Sequence, residues 1–181
     1  MMTLFVNACV KGDSRTRRLA EHYLKGPYEE VKLHEIDFPI ADEAFIKKRD
    51  KLIASQEFDN PMFNLARQFA NADEIVIAAP YWDLSFPASL KQYIEQINVV
   101  GITFYYTLEG TPKGLCNAKR LIYIMTAGGA LVPEEFGFGY VKTLAQSFYG
   151  IPEVKLIKAT GLDIDGADVE SILNSAKESI N

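Results

Sequence analysis

Cysteine and histidine are scarce in this chain of 181 residues, which holds only Cys9, Cys116, His22 and His34. The two cysteines lie far apart with no CxxC spacing, and two histidines add little, so no zinc, iron–sulfur or other metal site is expected. Long hydrophobic runs are also missing: no segment approaches the ~20 consecutive apolar residues that a membrane-crossing helix needs. The first six residues carry no charged region, no apolar stretch of signal length and no small-residue cleavage site, so export is not expected and a cytoplasmic location is. There is no excess of positive charge. The net charge of −5 speaks against a general affinity for nucleic acid, although Arg15, Arg17 and Arg18 form a local basic cluster that needs its own explanation. Repeats and low-complexity stretches are absent, as are GxGxxG and GxxxxGK[ST], which removes the dinucleotide fingerprint and the P-loop.

What remains is an ordinary globular composition, 48% hydrophobic and 24% charged, long enough for one core and read as a single domain over residues 1–181. Apolar runs alternate with helical patterns along the whole chain, the signature of βαβ units and a parallel sheet. Five strands are expected, at residues 3–8, 31–36, 74–79, 121–126 and 154–159. The run at 74–79 is nearly all apolar, as suits a central strand covered on both faces. Helices are expected at 14–24, stopped by Gly26-Pro27, at 60–70, at 87–98 with Pro87 in the first turn, at 139–149, and at 167–180 capped by Asp165 or a neighbour. Residues 42–59 read as a charged excursion containing a helix. Residues 99–118 are too long and too aromatic for a plain connection.

In an open parallel sheet, ligands sit beyond the carboxyl ends of the strands, so the loops after the first, third and fourth strands can share one site. The first carries Ser14, Arg15 and Thr16 at a helix start, where free N–H groups and the helix dipole favour a phosphate; alternatively Asp13 or Ser14 is a simple N-cap beside solvated arginines. The loop after the third strand, Pro80-Tyr81-Trp82-Asp83-Leu84, offers aromatic faces and backbone groups to a flat ring, or alternatively a Trp cover for the core. The next loop is Thr126-Ala127-Gly128-Gly129, whose glycines allow close backbone approach. A phosphate cradle, an aromatic platform and a Gly-Gly turn together suit a ligand with one phosphate and a planar polar ring, such as flavin mononucleotide (FMN).

These segments, in this order, resemble the flavodoxin-like NAD(P)H:quinone oxidoreductases and FMN-dependent azoreductases over nearly the full length. Residues 80–91 resemble the family's flavin-ring loop and following helix, residues 101–115 the azoreductase insertion, and residues 126–129 the flavin-edge turn. Ser14-Arg15-Thr16 falls at the family's phosphate-binding position. The resemblance implies an α/β flavodoxin-like fold with a five-stranded parallel sheet in the order 2-1-3-4-5 and helices on both faces. It implies FMN held by Ser14, Arg15 and Thr16 at the phosphate, by Pro80, Tyr81, Trp82, Asp83 and Leu84 along the ring, and by Thr126, Ala127, Gly128 and Gly129 at the pyrimidine side. It also implies a homodimer whose Phe104, with neighbouring aromatics, walls the partner's pocket. Two positions depart from the family: Leu131 stands about where several relatives have histidine, and Asp83 where azoreductases often have asparagine. Both bear on the substrate.

The activity so implied is a two-electron reduction of quinone, azo or nitroaromatic acceptors by NAD(P)H, donor and acceptor alternating in one pocket shaped by Phe104, Tyr106 and Leu131. The cofactor does the redox chemistry, and no side-chain nucleophile or acid/base pair is assigned for its first half. Tyr106 or Tyr140 serves either packing or proton delivery. The competing readings are a flavodoxin-type electron carrier, against which the 99–118 insertion argues, and a flavin-free interaction protein, against which Ser14-Arg15-Thr16 and Gly128-Gly129 argue.

Overall fold

The computed structural model describes residues 2–180. Its centre is a parallel sheet of β1 (Thr3–Asn7), β2 (Tyr28–Lys32), β3 (Glu74–Ala78), β6 (Arg120–Thr126) and β7 (Glu153–Ala159), in the order β2-β1-β3-β6-β7. Counting only these strands, this is the expected 2-1-3-4-5. Every residue of β1 and β3 is buried, whereas the edge strand β7 alternates. That difference follows from coverage: central strands bury both faces, and an edge strand keeps partial access to water.

The alternation of side chains splits the sheet residues between two cores. Leu4, Val6, Ile75, Ile77, Leu121 and Tyr123 pack with residues of α3 (Asn64–Asn71), α4 (Ala88–Ile97) and α5 (Tyr140–Ser147). Phe5, Val76, Ala78, Ile122 and Ile124 pack on the other face with α1 (Arg15–Tyr23) and α6 (Val169–Glu178) through Leu19, Ala20, Leu173 and Ala176. A satellite cluster of Leu52, Phe63, Ala66 and Val99 seats α2 (Glu43–Ala54), which is the helix of the charged excursion.

Several boundaries differ from expectation. The second strand covers Tyr28–Lys32 and gives way to a 3₁₀ turn at Leu33–Glu35, because pairing with β1 ends at Asn7↔Lys32. Pro87 is the N-cap of α4 rather than a member of its first turn. The last helix begins at Val169 and is capped by Asp168, whose carboxylate accepts the N–H of Ser171 at 3.0 Å. A wide π turn at Glu135–Gly139 precedes α5.

The aromatic insertion forms an antiparallel hairpin, β4 (Phe104–Tyr106) with β5 (Pro112–Gly114). It is seated on the end of α5. Phe104 meets Phe148 with ring centroids 5.1 Å apart, and a Cβ on Gly114 would come within 2.1 Å of the Tyr149 backbone, so only glycine fits there.

Candidate functional site

The strand ladders continue past the strand ends and bind the loops together. Ala8 N–H donates to the Ala78 carbonyl at 2.9 Å, Tyr81 N–H to Thr126 at 3.0 Å, and Ala127 N–H to Ala159 at 2.9 Å. Each loop therefore leaves the sheet at a height set by its neighbour. Between them lies a cavity of about 310 Å³ at the carboxyl edge, where the topological rule for open α/β sheets puts ligands.

The α1 start forms one wall. Ser14 is the N-cap, its Oγ accepting the Arg17 N–H at 3.3 Å. The capping and phosphate readings of this residue are compatible, since a hydroxyl that accepts can still donate. The N–H groups of Arg15 and Thr16 have no carbonyl within the helix, by the geometry of any helix start. Thr16 is buried and its Oγ1 lies 2.6 Å from Thr126 Oγ1, tying the cradle to β6.

The three arginines of the basic cluster are all paired. Arg15 reaches Asp163 at 2.6 Å, Arg17 reaches Glu21 at 2.8 Å and Glu30 at 3.2 Å, and Arg18 reaches Glu170 at 3.0 Å. Glu30 also accepts from Asn7 Nδ2 at 2.8 Å, while Asn7 Oδ1 takes the N–H of Cys9 at 2.9 Å. A polar chain thus joins the end of β1, β2 and the first turn of α1 around the loop. Cys9 sits beneath it, its thiol pushed up by burial against the opposing pull of Ser14 and Arg17.

The second wall is the aromatic loop. Trp82 and Ser85 exchange both backbone hydrogen bonds, at 3.1 and 2.8 Å, around Asp83 and Leu84 with φ of +49° and +67°. This is a two-residue hairpin turn of the primed kind, in which a glycine would ordinarily take a left-handed position. Trp82 is 42% exposed and lines the cavity, so it is no cover for the core. Tyr81 donates its hydroxyl to the Pro133 carbonyl at 3.1 Å, and Ser85 Oγ donates to that of Phe136 at 2.7 Å. Both bonds tether segment 130–136 beside the site. Burial and the charge of Glu135 push the Tyr81 phenol up, which keeps it a protonated donor.

Ser14, Arg15, Thr16, Pro80, Tyr81, Trp82, Thr126, Ala127 and Gly128 line one cavity. Asp83, Leu84, Gly129, Tyr106 and Leu131 lie outside its lining, on exposed backbone. Phe104 is 5% exposed, packed between Tyr106 and Phe148. Its ring is covered within its own chain, and the exposed aromatics of the hairpin are Tyr105 and Tyr106. Tyr140 packs against Phe86 at 5.9 Å between ring centroids, a packing role.

The sequence reading omitted Val10, Lys11, Asp13, Leu162 and Asp163, which complete the lining. Leu162 and Asp163 come from the loop after β7, bound to residues 127–129 by Leu162 N–H to Ala127 at 3.1 Å and Asp163 N–H to Gly128 at 2.9 Å. The rule that gathered the other loops applies equally to a strand next to β6, so the signal was present.

A five-stranded parallel sheet in this order, covered on both faces and opening at its carboxyl edge, defines the flavodoxin class of α/β protein. The family model for the flavodoxin-like fold matches residues 1–181, and the chain belongs to that family. It is 37% identical over 187 residues to the FMN-dependent NADH:quinone oxidoreductase of Lachnoclostridium phytofermentans, spanning 97% of this chain and 93% of that protein. A protein of the same name from Coprothermobacter proteolyticus is 38% identical, with 96% and 92% covered. Among solved structures, an azoreductase from Bacillus anthracis superposes with a TM-score of 0.85 at 24% identity, covering 99% of this chain and 96% of that one. An FMN-dependent NADH-azoreductase of the same species, solved with FMN, gives 0.82 at 23% identity, with 99% and 95% covered. These two likenesses are of fold.

Proposed function

We propose that the chain is an FMN-dependent NAD(P)H oxidoreductase that makes two-electron reductions of quinones, azo compounds or nitroaromatics. The observation that carries this reading is the convergence of a helix start, an aromatic loop and a glycine turn on one cavity, in a chain whose full-length relatives bear that activity in their names. The donor set fits FMN. The Arg15 and Thr16 N–H groups and the Ser14 and Thr16 hydroxyls suit one phosphate, Trp82 and Tyr81 present ring faces, and nothing lies within 4 Å of where a Gly129 Cβ would stand.

Bound there, FMN supplies the hydride and electron transfer between nicotinamide and acceptor. The residues of this chain orient and shield. Thr126 and the Gly128 backbone, both in the cavity lining, would hold the polar edge of the ring, where fixed N–H dipoles would stabilise added negative charge. Trp82, in the cavity wall, would flank the ring, and a single face shared in turn by donor and acceptor would make the kinetics ping-pong. Among the described residues no helix is long and apolar enough to cross a membrane, and the reading places this single-domain protein in the cytoplasm.

The same reading includes a homodimer. Tyr105, Tyr106, Leu108 and Leu115 are each exposed on the hairpin and its flanks, and several large apolar side chains in water on one short element suit a subunit contact. The deciding experiment is a steady-state assay of the purified yellow protein with NADH and NADPH against a quinone, an azo dye and free FMN. Oxidation of either nicotinamide with a quinone or azo dye is expected. Bound flavin without nicotinamide oxidation would turn the reading to an electron carrier.

A further inference from the structure

Arg15 and Asp163 enter the cavity from different loops and meet in it. Arg15 Nη1 donates to Asp163 Oδ1 at 2.6 Å and to the Leu162 carbonyl at 3.3 Å. The carboxylate is held from behind: its own N–H is bound to Gly128, and a Cβ on Gly128 would come within 2.2 Å of Asp163 Oδ2. The pair is not a core ion pair, the side chains being 39% and 68% exposed. It ties the α1 start to the loop after β7, whereas Arg18 and Glu170 join α1 to α6.

The charged lining consists of Lys11 and Arg15 against Asp13 and Asp163, so a cavity whose helix start favours an anion carries no net formal charge. A carboxylate within hydrogen-bond distance of a guanidinium removes most of the potential that the guanidinium would offer a second anion. It also occupies the Nη1 atom. We propose that Asp163 is a positioning residue that fixes Arg15 and offsets its charge, and so holds the affinity for the phosphate of FMN below what the α1 start and an unopposed Arg15 would give. This rests on the reading of the cavity as the flavin site.

The test titrates FMN and riboflavin into full-length protein stripped of flavin, followed by flavin fluorescence. Asp163→Asn keeps an oxygen to accept from Arg15 but loses the charge. It is expected to bind FMN about three- to tenfold tighter at low ionic strength, the gain shrinking as salt screens it. Riboflavin, which has no phosphate, should change by less than about twofold. Arg15→Gln should weaken FMN, and Asp163→Ser should repeat the tightening if Asn happens to perturb the loop. Unchanged or weaker FMN binding in both Asp163 variants, with Arg15→Gln still weaker, overturns the proposal and leaves the phosphate site standing. Equal tightening for riboflavin overturns it too, since the effect would then lie on the ring. No effect from any of the three variants overturns the proposal and removes Arg15 from the phosphate site.

Discussion

Thr16 Oγ1 and Thr126 Oγ1 lie 2.6 Å apart in a buried contact that joins the first turn of α1 to the last residue of β6. Under the proposed reading Thr16 has two tasks, one in the fold and one toward the phosphate. Thr16→Ala leaves Thr126 without its partner, which should cost about 1–3 kcal/mol of stability. Ser14→Ala removes a helix cap and should cost about 1 kcal/mol. In the double variant FMN affinity should fall well beyond the loss expected from stability, since two hydroxyl donors to a charged group go, each worth roughly 1.5–3 kcal/mol. Denaturant melts alongside FMN titrations separate the effects, and wild-type affinity in the double variant would refute the phosphate assignment.

Leu84 holds a φ of +67° at an exposed hairpin tip. A left-handed conformation costs a side-chain-bearing residue about 1–2 kcal/mol, and Leu84 buries little in return. Leu84→Gly is accordingly expected to leave stability unchanged or raise it by up to about 1 kcal/mol. A midpoint shift of more than about 1 kcal/mol in the destabilising direction would show that the Leu84 side chain packs more than its exposure suggests.

The fold was legible because its central strands are unambiguous. Residues 75–79 and 121–125 are apolar throughout, a pattern that belongs to strands covered on both faces. The misplaced second strand shows the limit: an edge strand turns only half its side chains inward, and after Val31 the alternation continues at Leu33 although the pairing with β1 ends at Lys32. The hairpin of the insertion escaped because each strand has three residues, too few for any period, and the π turn before α5 has no periodic signal at all. Most of the cavity lining followed from the rule about strand ends. Asp163 did not, because the loop after the last strand was left out of that rule, and the burial of Phe104 depends on its contact with Phe148, which sequence spacing does not give.

Alkaline pH should destabilise the protein through its buried phenols. Burial raises the values of Tyr93, Tyr123 and Tyr149, and burial together with the Glu74 carboxylate raises that of Tyr23. Folded values above the unfolded one mean that the native state retains protons the unfolded chain releases. The stability these groups contribute is thus full below about pH 10 and is lost as pH rises from there toward the native values. Spectrophotometric titration of the nine tyrosines should show these four silent until the protein unfolds.

If the hairpin surface is a subunit contact, charge placed on it should dissociate the dimer. Leu108→Glu with Tyr105→Glu touches side chains exposed on the single chain, so folding should be unaffected while sedimentation shifts from dimer to monomer at micromolar concentration. A wild-type protein that sediments as a monomer with full activity would dismiss the dimer.

Trp82 and Phe104 stand in different surroundings, one in the cavity wall and one packed within the hairpin. Trp82 stands half-exposed in the cavity wall, so Trp82→Ala should change stability by no more than about 1 kcal/mol. Phe104 is buried under Phe148, and Phe104→Ala should cost about 3–5 kcal/mol by opening a void. Their kinetic effects should be reversed. When donor and acceptor lie in turn on one ring face beside Trp82, its loss impairs reduction by NAD(P)H and reoxidation by quinone alike, and the wild-type steady state gives parallel double-reciprocal lines. Phe104→Ala, measured on the folded and flavin-saturated fraction, should leave both half-reactions within about twofold of wild type, the variation expected when a substitution acts on stability alone. Stopped-flow measurement of each half-reaction decides the matter: intersecting lines, or half-reactions untouched by Trp82→Ala, would rule out the shared face.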